Sequence, residues 1–209
     1  MSDLIPKHGG YRKLAAYQLS LIIYDGTVAF TKLYLDKKSR TVDQMVQAAR
    51  SGKQNIAEAS AASGTSKKFE LKLTSVARAS FEELLLDYQD YLRQNNHPQW
   101  SKDHDKAKFI RNLRRKRDAI VAAHESHTSH PSQEAQEAIF AKAVYEIYQP
   151  YIEQRNAANA ANTLICLINQ ANFLLDRLLK RQGELFLDQG GFTENLHKQR
   201  TKARENKPE

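Results

Sequence analysis

Residues 49–88 read "ARSGKQNIAEASAASGTSKKFELKLTSVARASFEELLLDY". Two helices of opposite character meet in this stretch. The first is polar and rich in small residues; the second carries Leu84, Leu85 and Leu86 in succession. Between them "SGTS" at 63–66 breaks the chain, and Ser66 is placed to cap the helix that follows, predicted over 67–93. At 100° per residue, three consecutive leucines sweep about 200°. A helix packed on one side needs an apolar stripe only about 100° wide. Leu84, Leu85 and Leu86 are therefore predicted to form an oligomer interface, with the chain's own helices on one side and a neighbouring subunit on the other.

The flanking sequence repeats the helical pattern. Leu14, Tyr17, Leu21, Val28 and Leu35 predict a first helix over 11–35, with Gly26 expected to admit a close neighbouring backbone. After "KKSR", the Thr41 and Gln44 spacing predicts a capping box opening a second helix over 42–62. Ala57, Ala59, Ala61 and Ala62 would let partner helices approach closely. Asn95-Asn96 and Pro98 close the third helix. A basic segment capped at Ser101 and a helix over 132–148 follow, both with apolar faces. Pro150 separates them from a last long helix, about 151–187, stopped at Gly190-Gly191.

The chain has 209 residues, enough for one ample core. Only eight glycines and five prolines are spread along it, so long stretches lack helix breakers. The single cysteine, Cys166, excludes an internal disulfide and points to a reducing compartment. The opening "MSDLIPKHGG" has no apolar h-region, so no signal peptide is expected, and no apolar run reaches the roughly 18 residues of a membrane helix. The expectation is a soluble cytoplasmic protein without a membrane partner. The net charge of +8 points to a polyanionic partner, DNA or RNA, with simple solubility as the bland alternative.

Motifs for chemistry are weak. Gly52-Lys53 fails as a phosphate-binding loop: Gln47 stands where the motif needs glycine, and Gln54 where it needs serine or threonine. His124, His127 and His130 have no cysteine or placed carboxylate to complete a metal site, so a solvated loop is the better reading. Cys166 sits among apolar neighbours as a small core residue. Glu82 and Glu83 point about 100° apart on a helix and do not converge; Arg78 is spaced to pair with Glu82. No catalytic arrangement emerges, and no cofactor or metal is expected. The basic segment is more informative. Lys102, Lys106, Lys108, Arg111, Arg114, Arg115, Lys116 and Arg117 face only Asp103 and Asp105 over the same stretch. On one continuous helix Lys108, Arg111 and Arg115 line an edge, with Arg114 beside it and apolar residues opposite. These four are the predicted nucleic-acid-binding residues.

The segments "GKQNIAEAS" and "VARASFEEL" within 41–88 resemble the four-helix-bundle family that includes the 23S rRNA-intervening-sequence proteins. The stretch "ANTLICLINQANFLLDRLLKRQGELFLDQGGFTENL" at 161–196 resembles its four helix bundle suffix domain branch. The resemblance implies an all-α, antiparallel four-helix bundle that assembles as a ring-shaped homopentamer. It also implies kinship with the accessory protein of diversity-generating retroelements, a basic ring that binds nucleic acid and a reverse transcriptase. Residues 1–96 would supply bundle helices one to three, 97–150 a helical hairpin insertion, 151–191 the last bundle helix and 192–209 a disordered tail. The hairpin is expected to be an appendage, so that its removal leaves a folded bundle. The expected function is a non-enzymatic oligomeric scaffold that binds nucleic acid through basic faces. The alternative is an adaptor that recruits a nucleic-acid enzyme such as a reverse transcriptase without touching nucleic acid itself.

Overall fold

Local signals in the sequence bound most of the long helices. A computed structural model describes residues 9–126, 133–154 and 156–190, together with Glu194, Leu196, His197, Arg200 and Thr201. Helix α1 (Ala15–Tyr34) follows a 3-10 turn at Tyr11–Lys13. Helix α2 (Arg40–Ala62) begins at Ser39, whose hydroxyl accepts from the Thr41 amide at 3.3 Å. The predicted Thr41–Gln44 capping box is thus displaced. The Ser39 amide closes a turn onto the Asp36 carbonyl at 2.9 Å, and this delivers Ser39 to the cap and leaves Thr41 inside the first turn.

Helix α3 (Lys67–Gln94) starts as predicted: the Ser66 hydroxyl accepts from the Phe69 amide at 3.2 Å. It ends in a Schellman motif. Asn96 takes φ 54°, the His97 amide donates to the Leu92 carbonyl at 2.8 Å, and the Asn96 amide donates to Arg93 at 3.2 Å. Residues 97–156 hold α4 (Asp105–Asn112), α5 (Arg114–Ser126), α6 (Gln133–Glu146) and the short α7 (Gln149–Ile152). The basic segment is therefore two helices, not one continuous helix from Ser101. His104 caps α4 through Nδ1, which accepts from the Lys106 amide at 3.1 Å, and the chain breaks step at Leu113. Helix α8 (Ala157–Gln189) starts later than the predicted 151. Pro150 opens α7 instead, and Asn156 caps α8 by accepting from the Asn159 amide at 2.9 Å. The described residues of the tail, 194, 196–197 and 200–201, are helical; the remainder of the predicted disordered tail lies outside the described residues.

Helices α1, α2, α3 and α8 form an antiparallel four-helix bundle in which each contacts two neighbours in the order α1–α2–α3–α8–α1. The bonds fix the directions. Ser51 meets Ser80 at 2.9 Å across α2 and α3. Between α3 and α8, Glu70 accepts from Gln182 at 3.0 Å, Arg78 pairs with Asp176 at 3.0 Å, and Glu82 accepts from Asn172 at 3.4 Å. As one helix ascends, its neighbour descends. A Cβ at Gly26 would lie 2.8 Å from Leu164 Cδ2 and 3.0 Å from Ile152 Cδ1, so the glycine lets α8 and α7 close onto α1.

The insertion joins this core. Helix α4 packs on α8, α6 packs on α1, and α5 pairs with α6 to make the hairpin. Ala107, Ile110, Leu113, Phe140, Val144 and Tyr148 belong to the same continuous cluster as the bundle residues. The hairpin is therefore built into the core and is not an appendage.

The triple leucine is corrected by the bundle itself. Leu84 is 0% exposed and Leu85 7%, within one chain, whereas Leu86 is 54% exposed. Helices α2 and α8 flank α3 on two sides, so an apolar arc wider than one stripe is covered without a second subunit. Leu84 and Leu85 are core residues, and Leu86 alone of the three is available to a partner. Ala59 is buried as the alanine-rich face requires, but Ala61 is exposed.

Candidate nucleic-acid interface

The chain after α3 is held down by one amide. Asn162 of α8 accepts from the Trp100 amide at 2.7 Å and donates to the Pro98 carbonyl at 3.0 Å and the Ala158 carbonyl at 2.9 Å. Arg111 of α4 donates to the Lys102 carbonyl, tying the same loop to the basic segment. Helix α4 and the loop are thereby held against α8, and a cleft of about 680 Å³ lined by α4, α5, α8, the loop and the start of α1 opens beside them.

The four predicted binding residues divide at this cleft. Arg111, half-buried, and Arg114, exposed, line it. Lys108 and Arg115 are exposed outside it, beside exposed Lys116. Among the described residues, none of Lys108, Arg115 and Lys116 forms an ion pair, whereas Arg114 reaches Asp118 at 3.8 Å. The cleft also gathers Lys102, Arg117 and, from α8, Arg177, so five cations stand around one carboxylate, Asp118.

Arg117 differs from the residues around it. It belongs to the basic segment, yet it is 2% exposed. Its position explains why: Ile110, Leu113, Arg117 and Ile120 recur at helical spacing, so the arginine falls on the apolar stripe. Nε and Nη2 donate to Asp118 Oδ1 at 3.2 and 2.8 Å, and Nη1 has no hydrogen-bond partner. The hydroxyl of Tyr148 is likewise buried and unpartnered. Burial pushes that phenol up, against the opposing field of Arg117. An unpartnered buried charged donor costs on the order of 1–3 kcal/mol or more.

The remaining lining is mixed. Trp100 stacks on His104 with ring centroids 5.4 Å apart, and Phe173 of α8 is 61% exposed with Arg177 over its ring at 5.8 Å. Asn169 and Gln170 supply amides. Cys166 forms part of the wall; burial raises its thiol to about 11 against the lowering field of Arg111, so it stays protonated and is no nucleophile near neutral pH. Neither Arg117 nor Arg177 was assigned to a site from the sequence. The 110–113–117–120 register signals the first. No local pattern signals the second, because it reaches the cleft from a helix remote in sequence.

Other candidate motifs settle as follows. Gly52 lies inside α2, away from any loop. His127 and His130 lie outside the described residues. Among the described residues no three His, Cys, Asp or Glu side chains gather as metal ligands. Arg78 pairs with Glu82 at 2.6 Å as predicted, and no described helix is long and apolar enough to cross a membrane. No family model, curated protein or solved structure matches the chain.

Proposed function

We propose that the protein is a non-enzymatic helical-bundle scaffold that binds nucleic-acid phosphates through the face built by α4 and α5. The observation that carries this reading is the set of exposed cations Lys108, Arg115 and Lys116, none in an ion pair among the described residues, interleaved in sequence with Arg111 and Arg114 at the cleft rim. These side chains are free to meet a phosphate backbone, the nearby Asp118 being held by Arg114 and Arg117, and α4 is anchored by its packing on α8. The reading also includes self-association, as in the family that residues 41–88 resemble. It rests on Phe69, Val76 and Leu86, which remain exposed along α3.

Salt titration tests the nucleic-acid part. Each phosphate contact on duplex DNA contributes about 0.9 to the slope of log affinity against log salt. Replacing Lys108, Arg115 and Lys116 by glutamine, all outside the cleft, is expected to weaken binding to every sequence alike and to flatten that slope by up to about 2.7. Duplex DNA and structured RNA are titrated in parallel at several salt concentrations. Equal affinity and equal slope for wild type and the triple variant would end this reading and leave the adaptor reading in its place.

A further inference from the structure

We infer that the cleft between α5, α8 and the 97–104 loop is a binding site for a nucleotide 5′-phosphate, with Arg117 as its buried anchor. The inference goes beyond the outer basic ridge, because Arg117 and Arg177 do not belong to that ridge.

Charge gives the first part of the ligand. Five cations from a loop, two helices and α8 converge on one cavity, and among the described residues Asp118 is the only carboxylate in its wall. Asp118 is already shared by Arg117 and Arg114, at 2.8 and 3.8 Å. Arg117 is almost wholly buried and still leaves Nη1 without an acceptor. A phosphate oxygen supplies the missing acceptor, and guanidinium forks match phosphate geometry. The exposed ends of Arg114 and Arg177 would close on the remaining oxygens.

Size and surface give the second part. A bare phosphate fills little of 680 Å³, which lies within the roughly 300–1,000 Å³ range of organic-ligand pockets. Trp100 and Phe173 line the same cavity and offer aromatic surface, and Asn169 and Gln170 offer amide donors and acceptors. A phosphate ester that carries a planar, hydrogen-bonding ring uses all three classes of side chain. A free mononucleotide and the 5′-phosphorylated end of a nucleic acid present this same chemistry.

The chain carries its own reporter. Trp100 is its single tryptophan and lines the cleft. Adenosine 5′-monophosphate is titrated calorimetrically and by Trp100 fluorescence, beside adenosine, inorganic phosphate, and a tetranucleotide with and without a 5′-phosphate. The expected result is one molecule bound per chain and a change in Trp100 emission. Adenosine and inorganic phosphate should each bind at least about tenfold more weakly, as expected when one charge-assisted or stacking contact is lost. Arg177→Gln, at an exposed position, and Arg117→Met should each weaken binding by about tenfold or more. Circular dichroism checks that both variants fold, and Arg177→Gln carries the test if Arg117→Met does not. Competition by the 5′-phosphorylated tetranucleotide alone would assign the site to nucleic-acid ends; its exclusion would assign the site to free nucleotides. Absence of binding at millimolar concentration, equal binding of adenosine, equal binding of inorganic phosphate, or undiminished binding by folded Arg177→Gln would each overturn the assignment.

Discussion

Gly52 of α2 lies against the ring of Phe81 in α3, so close that a Cβ at Gly52 would stand 2.5 Å from Phe81 Cε1 and 2.6 Å from Cζ. Phe81 is fully buried, so its ring has nowhere to retreat. The glycine that looks like part of a phosphate loop is a seat for an aromatic ring. Gly52→Ala gains about 1 kcal/mol of helix propensity but meets an overpacking cost of about 1–3 kcal/mol. Net destabilisation is expected. Phe81→Leu in the same chain should relieve part of it, giving a coupling energy in a urea double-mutant cycle. A stabilised Gly52→Ala, or additive effects of the two changes, would show that the contact is loose.

Leu85 and Leu86 are adjacent and should behave in opposite ways. Leu85→Glu places a charge in the bundle core and is expected to cost several kcal/mol, on the order of 3–5. Leu86→Glu lies on the exposed face of α3 and should leave monomer stability within about 0.5 kcal/mol. If Phe69, Val76 and Leu86 mediate self-association, Leu86→Glu lowers the mass measured by light scattering while the thermal transition of the dissociated chain survives. A wild-type chain that is monomeric at micromolar concentration ends the self-association reading.

What the sequence revealed was what is periodic and local. The Ser66 cap, the Asn95-Asn96 stop, the Arg78–Glu82 pair and the bundle helices all follow from spacings within a few residues. Gly26 was legible as a point of close approach, but what approaches is the side chains of Leu164 and Ile152 and not the expected backbone. The burial of Leu84 and Leu85 was misread because an arc of apolar surface says how much cover is needed and not who provides it. In a bundle, the two helices flanking α3 already provide it. The cleft was illegible for a related reason. Arg177 and Arg117 line one cleft through contacts remote in sequence, the Asn162 bonds to the loop after α3 and the packing of α4 on α8 among them, and no single stretch of sequence records that meeting.

Removing residues 97–150 should abolish cooperative unfolding. Ile110, Leu113, Phe140, Val144 and Tyr148 would leave a core in which they touch α1 and α8. Deleting one buried large apolar side chain costs about 2–5 kcal/mol, against a total stability of about 5–15 kcal/mol for a typical domain. A chain with a short polar linker in place of 97–150 is expected to keep helical circular dichroism but lose a sharp thermal transition. A sharp transition in that chain would show the hairpin to be separable after all.

Asp25 gives the fold a pH dependence of defined sign. It lies on α1, partly buried; burial raises its carboxyl above the ordinary 3.8, with Lys53 opposing. Across the helix contact Tyr145 faces it, held by its own hydrogen bond to Glu153 Oε1 at 2.7 Å. The folded chain therefore keeps the Asp25 proton in a window, opening at 3.8, where the unfolded chain has begun to release it. More protons bound in the folded state means that stability falls as pH rises through that window. Above it the cost of the buried carboxylate is fully present; below about pH 4 it is absent. Asp25→Asn keeps the shape and removes the titration. Its melting temperature should exceed that of wild type at about pH 8 and converge with it on acidification to about pH 4. A constant difference across this range, or an asparagine variant less stable than wild type at the alkaline end, would show that Lys53 outweighs burial at this site.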